Sequence, residues 1–198
     1  MKYDLAKKPT LGSRRTLKSF STTMFQLITK KSFEKITVNE ICRLSEYPRA
    51  TFYNYFDDKY DLLNYCWYLI FTQAGVRADT VVASQDTFEE CFDRLYDVFD
   101  QYRSIIKLIV RKNPINDELA LSFTDYFRRT VKRIFTNSFD ESKMTIPLDL
   151  IVIQTVELIL NVLEWDFLED HEITRKQTYY YLHVLLLGNP FQDSPCKK

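Results

Sequence analysis

The sequence predicts an all-helical protein, and three observations carry that expectation. Only three glycines (Gly12, Gly75 and Gly188) and six prolines punctuate 198 residues, too few for the tight turns of an all-β fold. Apolar residues recur at steps of three and four along most of the chain, the period of an amphipathic helix. Capping and stop signals bracket those periodic runs at helix-length intervals. With 45% hydrophobic and 27% charged residues, the composition is that of an ordinary globular protein, long enough to bury a real core.

Taken in order, residues 1–12 are polar, hold Pro9 and Gly12, and read as a flexible arm. From Ser13 the run Leu17, Phe20, Met24, Leu27 and Ile28 predicts a first helix, with Lys30 and Lys31 in its last turn, where cations suit the helix dipole. Thr37 followed by Glu40 is a capping box, so a short second helix starts there, turns Val38, Ile41 and Leu44 inward, and ends near Ser45. Pro48 is tolerated in a first turn and opens a third helix running through Phe52 to Phe56. Asp57-Asp58 caps a fourth, with Leu62, Leu63, Cys66, Trp67 and Ile70 on its apolar side, which fades before Gly75.

Residues 76–85 read as a connector. The next helix opens at Asp86 and sets Phe88, Phe92, Leu95, Phe99 and Tyr102 on one face. A short apolar helix from Ile105 to Val110 is stopped by Asn113-Pro114, and Leu119, Phe123, Phe127, Val131 and Ile134 mark the one after it. Pro147 introduces a helix of about twenty residues, and Thr174 with Gln177 caps a last one that ends at Gly188-Asn189-Pro190. The expectation is about nine helices.

The composition also removes function classes. A glycine-rich phosphate loop needs several glycines close together, which excludes Walker-type and dinucleotide-fold enzymes. The four cysteines are widely spaced, and three of them (Cys42, Cys66 and Cys91) lie in apolar runs, where a free thiol behaves as a small hydrophobe. His171, among acids, reads as a solvated turn, and His183 as core or interface. No nucleophile has a base at a recognisable spacing and no metal-ligand pattern is present, so no catalytic residue, metal or cofactor is expected. The N-terminus lacks an apolar secretory stretch. The most apolar segment, Ile146 to Leu163, contains Asp149, Gln154, Glu157 and Asn161, too polar and too short to span a bilayer. A soluble, cytoplasmic protein without a membrane partner is expected.

A net charge of zero hides an asymmetry. Residues 1–60 carry 12 Lys/Arg against 6 Asp/Glu, and residues 61–198 carry 15 against 21. A basic N-terminal third suggests that this end meets a polyanion. It also holds two short helices separated by about three residues, Ser45-Glu46-Tyr47, the helix-turn-helix layout whose second helix enters the major groove of double-stranded DNA. Arg49 suits a base edge or a phosphate. Thr51, Tyr53, Asn54 and Tyr55 offer polar and aromatic contact, and Ala50 is small enough for close approach. Phe52 and Phe56, four apart, take the inward role.

These segments, Ile36 to Ile41, Pro48 to Phe56 and Lys59-Tyr60-Asp61-Leu62-Leu63, resemble the DNA-binding signature of TetR/AcrR-type bacterial transcriptional regulators. The resemblance covers roughly residues 13–65. It implies that Thr37 contacts phosphate, that Arg49, Ala50, Thr51 and Asn54 face the groove, and that Tyr53 and Lys59 grip phosphates beside it; Tyr47 and Tyr55 complete the candidate DNA-binding set. Ser45-Glu46 stands where the family usually has Ala-Gly, so Glu46 is expected at positive φ, and Pro48 replaces a frequent capping Ser. Arg14, Arg15 and Lys18, with Lys7 and Lys8 in the arm, are additional phosphate candidates.

The resemblance further implies a division into residues 1–60, the DNA-binding domain, and 61–198, a helical domain that binds an effector and pairs with a second copy through its last two helices. Independently, the apolar residues between Ile151 and Leu163 cover most of their helix's circumference, which calls for cover on more than one side; Tyr179, Leu182 and Leu186 of the last helix would complete a four-helix interface. Trp67, Phe71, Phe92, Tyr96, Phe99, Phe123 and Phe127 are candidates to line an effector pocket, although aromatics at helical spacing also read as plain core. The function expected is a homodimeric, sequence-specific regulator, a repressor released from a palindromic operator by a small-molecule or protein effector. The alternative is a helical interaction module controlled by a partner protein.

Overall fold

The computed structural model describes residues 10–76, 85–138, 140, 142, 144–167, 171 and 173–187, with residues 85–91 described by backbone alone. The expected arm (residues 1–9 of it), most of the connector, the side chains of Phe88 and Cys91, the Gly188-Asn189-Pro190 stop and Cys196 fall outside what is described. Within it the chain is all helical. The elements are α1 (Leu11–Ile28), α2 (Val38–Ser45), α3 (Arg49–Tyr55), α4 (Lys59–Gln73), α5 (Gln85–Gln101), α6 (Arg103–Val110), α7 (Glu118–Ser138), α8 (Leu148–Phe167) and α9 (Arg175–Leu187), with a 3-10 turn at Phe33–Lys35.

Local chemistry sets most boundaries. Thr10 caps α1 by accepting the Ser13 N–H at 3.1 Å, so the helix begins at Leu11, ahead of the expected Ser13, and Lys30 and Lys31 fall beyond its end. Asp58 caps α4 through the Asp61 N–H at 2.8 Å, and the Asp61 carboxylate returns a bond to the Asp57 N–H at 3.1 Å. At α9 the expected box forms in both directions: Thr174 Oγ1 accepts the Gln177 N–H at 3.3 Å, and Gln177 Oε1 accepts the Thr174 N–H at 2.8 Å. α6 starts at Arg103, one half-turn before the expected Ile105.

Two apolar cores result. Leu17, Phe20, Met24, Ile28, Phe33, Ile36, Ile41, Phe52, Phe56, Leu62, Leu63 and Cys66 form the first, with Leu119 of α7 reaching into it. Phe20 is its centre, fully buried, with ring centroids 5.3 Å from Phe52 and 5.4 Å from Tyr47. The second unites α5, α7, α8 and α9 around Phe127, Val131, Val152, Val156, Ile159, Leu163 and Phe167. α4 serves both: its N-terminal half seals the first core, and Phe71 enters the second.

On α9, Leu182 is buried, and Tyr179 and Leu186 lean on the second core. These three face their own chain rather than outward. His183 is exposed and is not core. The outward side of α8 leaves Leu150, Ile153 and Trp165 exposed, and α9 adds Tyr180 and Leu185. His171 is exposed, and its ring stacks on Trp165 at 4.0 Å between ring centroids.

Candidate nucleic-acid interface

α2 begins where Thr37 adopts extended backbone and its hydroxyl accepts the Glu40 N–H at 3.3 Å. The Glu40 carboxylate pairs with the Lys31 ammonium, which also donates to the Lys35 carbonyl at 3.2 Å. Ile41, Cys42 and Ser45 are the buried residues of this helix. Leu44 is not inward as expected: it is 47% exposed. Positions 38, 41, 42 and 45 make one helical face at 100° per residue, and Leu44 falls off it.

The turn after α2 is closed by two N–H groups. Glu46 and Tyr47 both donate to the Cys42 carbonyl, the latter at 3.1 Å. This requires φ 60° and ψ 32° at Glu46, the expected left-handed conformation and the only positive φ of a non-glycine among the described residues. A side chain there costs about 1–2 kcal/mol.

α3 is seven residues long and starts at Arg49, with Pro48 as its cap residue rather than in its first turn. A proline at this place has no side-chain acceptor, but its carbonyl takes the N–H groups of Thr51 at 3.0 Å and Phe52 at 3.2 Å. Phe52 and Phe56 are both fully buried, as their spacing predicts. That fixes the helix's rotation and leaves Arg49, Ala50, Tyr53 and Asn54 on the exposed side, with Thr51 half-buried at its edge.

Three members of the predicted set are tied into the protein. Tyr47 is half-buried against Phe20. Tyr55, also half-buried, donates its hydroxyl to Ser13 Oγ at 3.3 Å, fastening the start of α1 to the end of α3. Ser19 Oγ, donating to the Ser45 carbonyl at 3.1 Å, makes a second fastening. Lys59, first residue of α4, donates to the carbonyls of Phe33 at 3.0 Å and Glu34 at 2.9 Å, with its ammonium 4.6 Å from the Phe33 ring centroid. Two of its three N–H groups thus hold the turn that precedes α2. Arg14, Arg15 and Lys18 are exposed on α1, beside the Ser13–Tyr55 contact.

What joins this unit to the rest of the chain is absent from the sequence reading. Asn113, 3% exposed, accepts the Phe33 N–H at 2.7 Å and donates to the carbonyls of Ile28 at 2.9 Å and Ile109 at 3.0 Å. Tyr60 donates to Glu118 at 2.7 Å, which pushes the phenol's pKa up, and Trp67 Nε1 donates to Ser122 at 3.0 Å. The other end of α6 is held as firmly. Arg103 donates to the buried Asp166 at 3.1 Å and lies 3.9 Å over the Phe167 ring, while Tyr96 and Thr178 each donate to Asp166 at 2.9 Å. Asn113 could be read only as a stop before Pro114, and no periodicity marks a single buried amide.

The seven aromatics considered as pocket lining pack ring against ring. Phe123 lies 5.3 Å from Trp67, 6.0 Å from Phe71, 5.9 Å from Phe99 and 6.2 Å from Phe127, and Phe92 lies 6.2 Å from Tyr96. A shallow cavity of about 330 Å³ lies apart from most of them, between the end of α4 and α5, lined by Gln73, Ala74, Gly75, Arg94, Asp97, Val98 and Gln101. Among the described residues no group of three His, Cys, Asp or Glu is placed to hold a metal, and no helix is long and apolar enough to cross a membrane.

Residues 24–66, from mid-α1 into α4, match the family described as bacterial regulatory proteins, tetR family. Solved structures share the fold over nearly the whole chain. A TetR-family transcriptional regulator from Syntrophomonas wolfei str. Goettingen is 19% identical, covers 87% of this chain and 93% of its own, and superposes with a TM-score of 0.58. One from Marinobacter aquaeolei VT8 is 16% identical, over 87% of this chain and 94% of its own, at 0.56. The fatty acid degradation regulator FadR from Bacillus halodurans is 15% identical, over 95% and 100%, at 0.55. No curated protein matches the chain. The resemblance read from the sequence is borne out: the helix-turn-helix is of the tetR type, and the all-helical fold is that of the family's regulators.

Proposed function

With a tetR-type DNA-binding domain at the N-terminus as premise, we propose that the chain is a homodimeric transcriptional repressor that binds a palindromic operator and leaves it when an effector binds. The observation that carries this reading is the rotation of α3. Burial of Phe52 and Phe56 turns Arg49, Ala50 and Asn54, with Thr51 beside them, to the open side of a basic domain. A short helix with a small residue flanked by an arginine and an asparagine suits the major groove, where those side chains read guanine and adenine edges. Thr37 would meet a phosphate at the N-terminus of α2.

The exposed apolar stripe of α8, with Leu150 and Ile153, and Tyr180 of α9 suit a two-fold interface in which each copy offers the same surface. Pairing there would place two α3 helices one helical turn of DNA apart, ~34–36 Å, or a multiple of it. An effector, a small molecule or a protein, would act by favouring a dimer with a different separation. The reading requires no catalysis and places the protein in the cytoplasm with its DNA.

Capture of sheared genomic DNA at physiological salt tests it. One or a few palindromic sites should be retained by the wild type and lost by a variant in which Thr37 and Arg49 are both alanine. Retention of nothing, or of random DNA by both proteins alike, would refute the regulator reading and favour an interaction module.

A further inference from the structure

Arg49 is exposed and sits at the first position of α3, where a long side chain would ordinarily sample many rotamers. Here it does not point freely into solvent. Its Nη2 donates to the Tyr53 hydroxyl at 3.2 Å, and the guanidinium carbon stands 5.7 Å from the Tyr53 ring centroid. The two residues are four apart, one above the other on the same helix face. Tyr53 is in turn fixed from behind: its ring meets Phe52 edge to face, 5.5 Å between centroids and 87° between planes, and Phe52 is fully buried. A chain of contacts thus runs from the apolar core through an aromatic ring to a guanidinium on the groove-facing side.

We propose that Tyr53 is a positioning residue for base readout: its hydroxyl and ring hold the Arg49 guanidinium in the pose that reads a guanine, rather than serving chiefly to grip a phosphate. The inference rests on the DNA-binding reading above and assigns the specificity-determining pair within it. The chemistry fits. The Tyr53 oxygen accepts one of five guanidinium N–H groups, and the fork keeps enough donors for the O6 and N7 acceptors of guanine. A side chain already held before binding loses less conformational freedom when it docks. A hydroxyl that touched only a phosphate would fix the register of the protein on the duplex but carry no sequence information.

The test is a single-base substitution scan of the captured operator, with affinities measured at several salt concentrations for the wild type, Tyr53→Phe, Arg49→Ala and the double variant. Tyr53→Phe keeps the ring and its contact with Phe52, and a thermal melt confirms the fold. It should lower the preference for one G·C pair per half-site by about 2- to 12-fold, the range for freeing one ordered side chain. That pair should be the one lost in Arg49→Ala, replacement of the guanine by 7-deazaguanine should have the same effect, and the double variant should lose nothing further there.

An equal loss at every position would assign the hydroxyl to a phosphate and overturn the proposal. So would a Tyr53→Phe variant that reads every base as the wild type does. A wild type that retains no specific site would instead overturn the regulator reading on which the pair depends.

Discussion

Replacing Asn113 by alanine strikes at the joint between the DNA-reading unit and the remainder of the chain. Three hydrogen bonds disappear, but they are not equivalent. The Ile109 carbonyl keeps the N–H groups of Lys112 at 3.0 Å and of residue 113 itself at 2.9 Å, so it remains satisfied. The Phe33 N–H and the Ile28 carbonyl depend on the amide. Each buried backbone group left without a partner costs about 1–3 kcal/mol; with two such groups stranded, Asn113→Ala should destabilise by roughly 2–6 kcal/mol, toward the lower end where water enters the vacated space. The assay is urea unfolding followed by circular dichroism and by fluorescence in a Trp165→Phe background. That background leaves Trp67, bonded to Ser122 across the same joint, as the reporter. The midpoint should fall with the urea dependence unchanged, because the exposed surface hardly differs. Asn113→Asp keeps the acceptor for Phe33 but turns an oxygen toward the Ile28 carbonyl, and should be no better than alanine. A shift below about 0.5 kcal/mol for Asn113→Ala, the size of an ordinary surface change, would refute the accounting.

Other expected outcomes follow from the same geometry. Glu46→Gly removes the Cβ from a left-handed residue and should raise stability by up to about 1 kcal/mol, read as a higher melting temperature; a fall would mean that the Glu46 side chain carries an interaction worth more than the strain. Lys59→Met should lower stability by about 1–2 kcal/mol, through loss of charge-assisted bonds to two carbonyls, before any DNA is added; an unchanged melt with weakened DNA binding would put that ammonium on a phosphate instead. Burial raises the pKa of both the Cys42 and Cys66 thiols, at Cys42 against the opposing pull of Arg49. Their alkylation at neutral pH should therefore track global unfolding, and rapid labelling of either in the native protein would contradict the packing.

Much of the fold was legible because its determinants are local. The box at Thr174 and the caps at Thr37 and Asp58 are written in residues three apart, although the Glu40 carboxylate goes to Lys31 instead of closing the box expected at Thr37, and Phe52 with Phe56 dictates how α3 rolls onto Phe20. The positive φ at Glu46 could be expected from the resemblance, because Glu46 stands where the family usually has glycine. Less legible were residues whose roles depend on distant partners. Lys59 reads as an exposed cation until the carbonyls of Phe33 and Glu34 are seen beneath it. Tyr55 reads as a groove residue until Ser13 is placed against it. Asn113 and Asp166 engage groups up to 85 and 70 positions away. Leu44 was misplaced for a different reason: three apolar residues in an eight-residue helix admit two faces, and the one chosen by Cys42 and Ser45 is decided by packing against α1.

α6 buries none of its own side chains fully, leans on the first core through Ile109, leaves Ile105 and Leu108 open to solvent, and is gripped at both ends. Mechanically it is a connecting rod between pinned bearings. One bearing is the Arg103–Asp166 cluster, the other the Asn113 amide. Eight residues at 1.5 Å each give a rod of about 12 Å. So held, α6 ties α8 at Asp166 to the Phe33 N–H, next to the turn that Lys59 holds before α2, and the two ends of the chain share one strut.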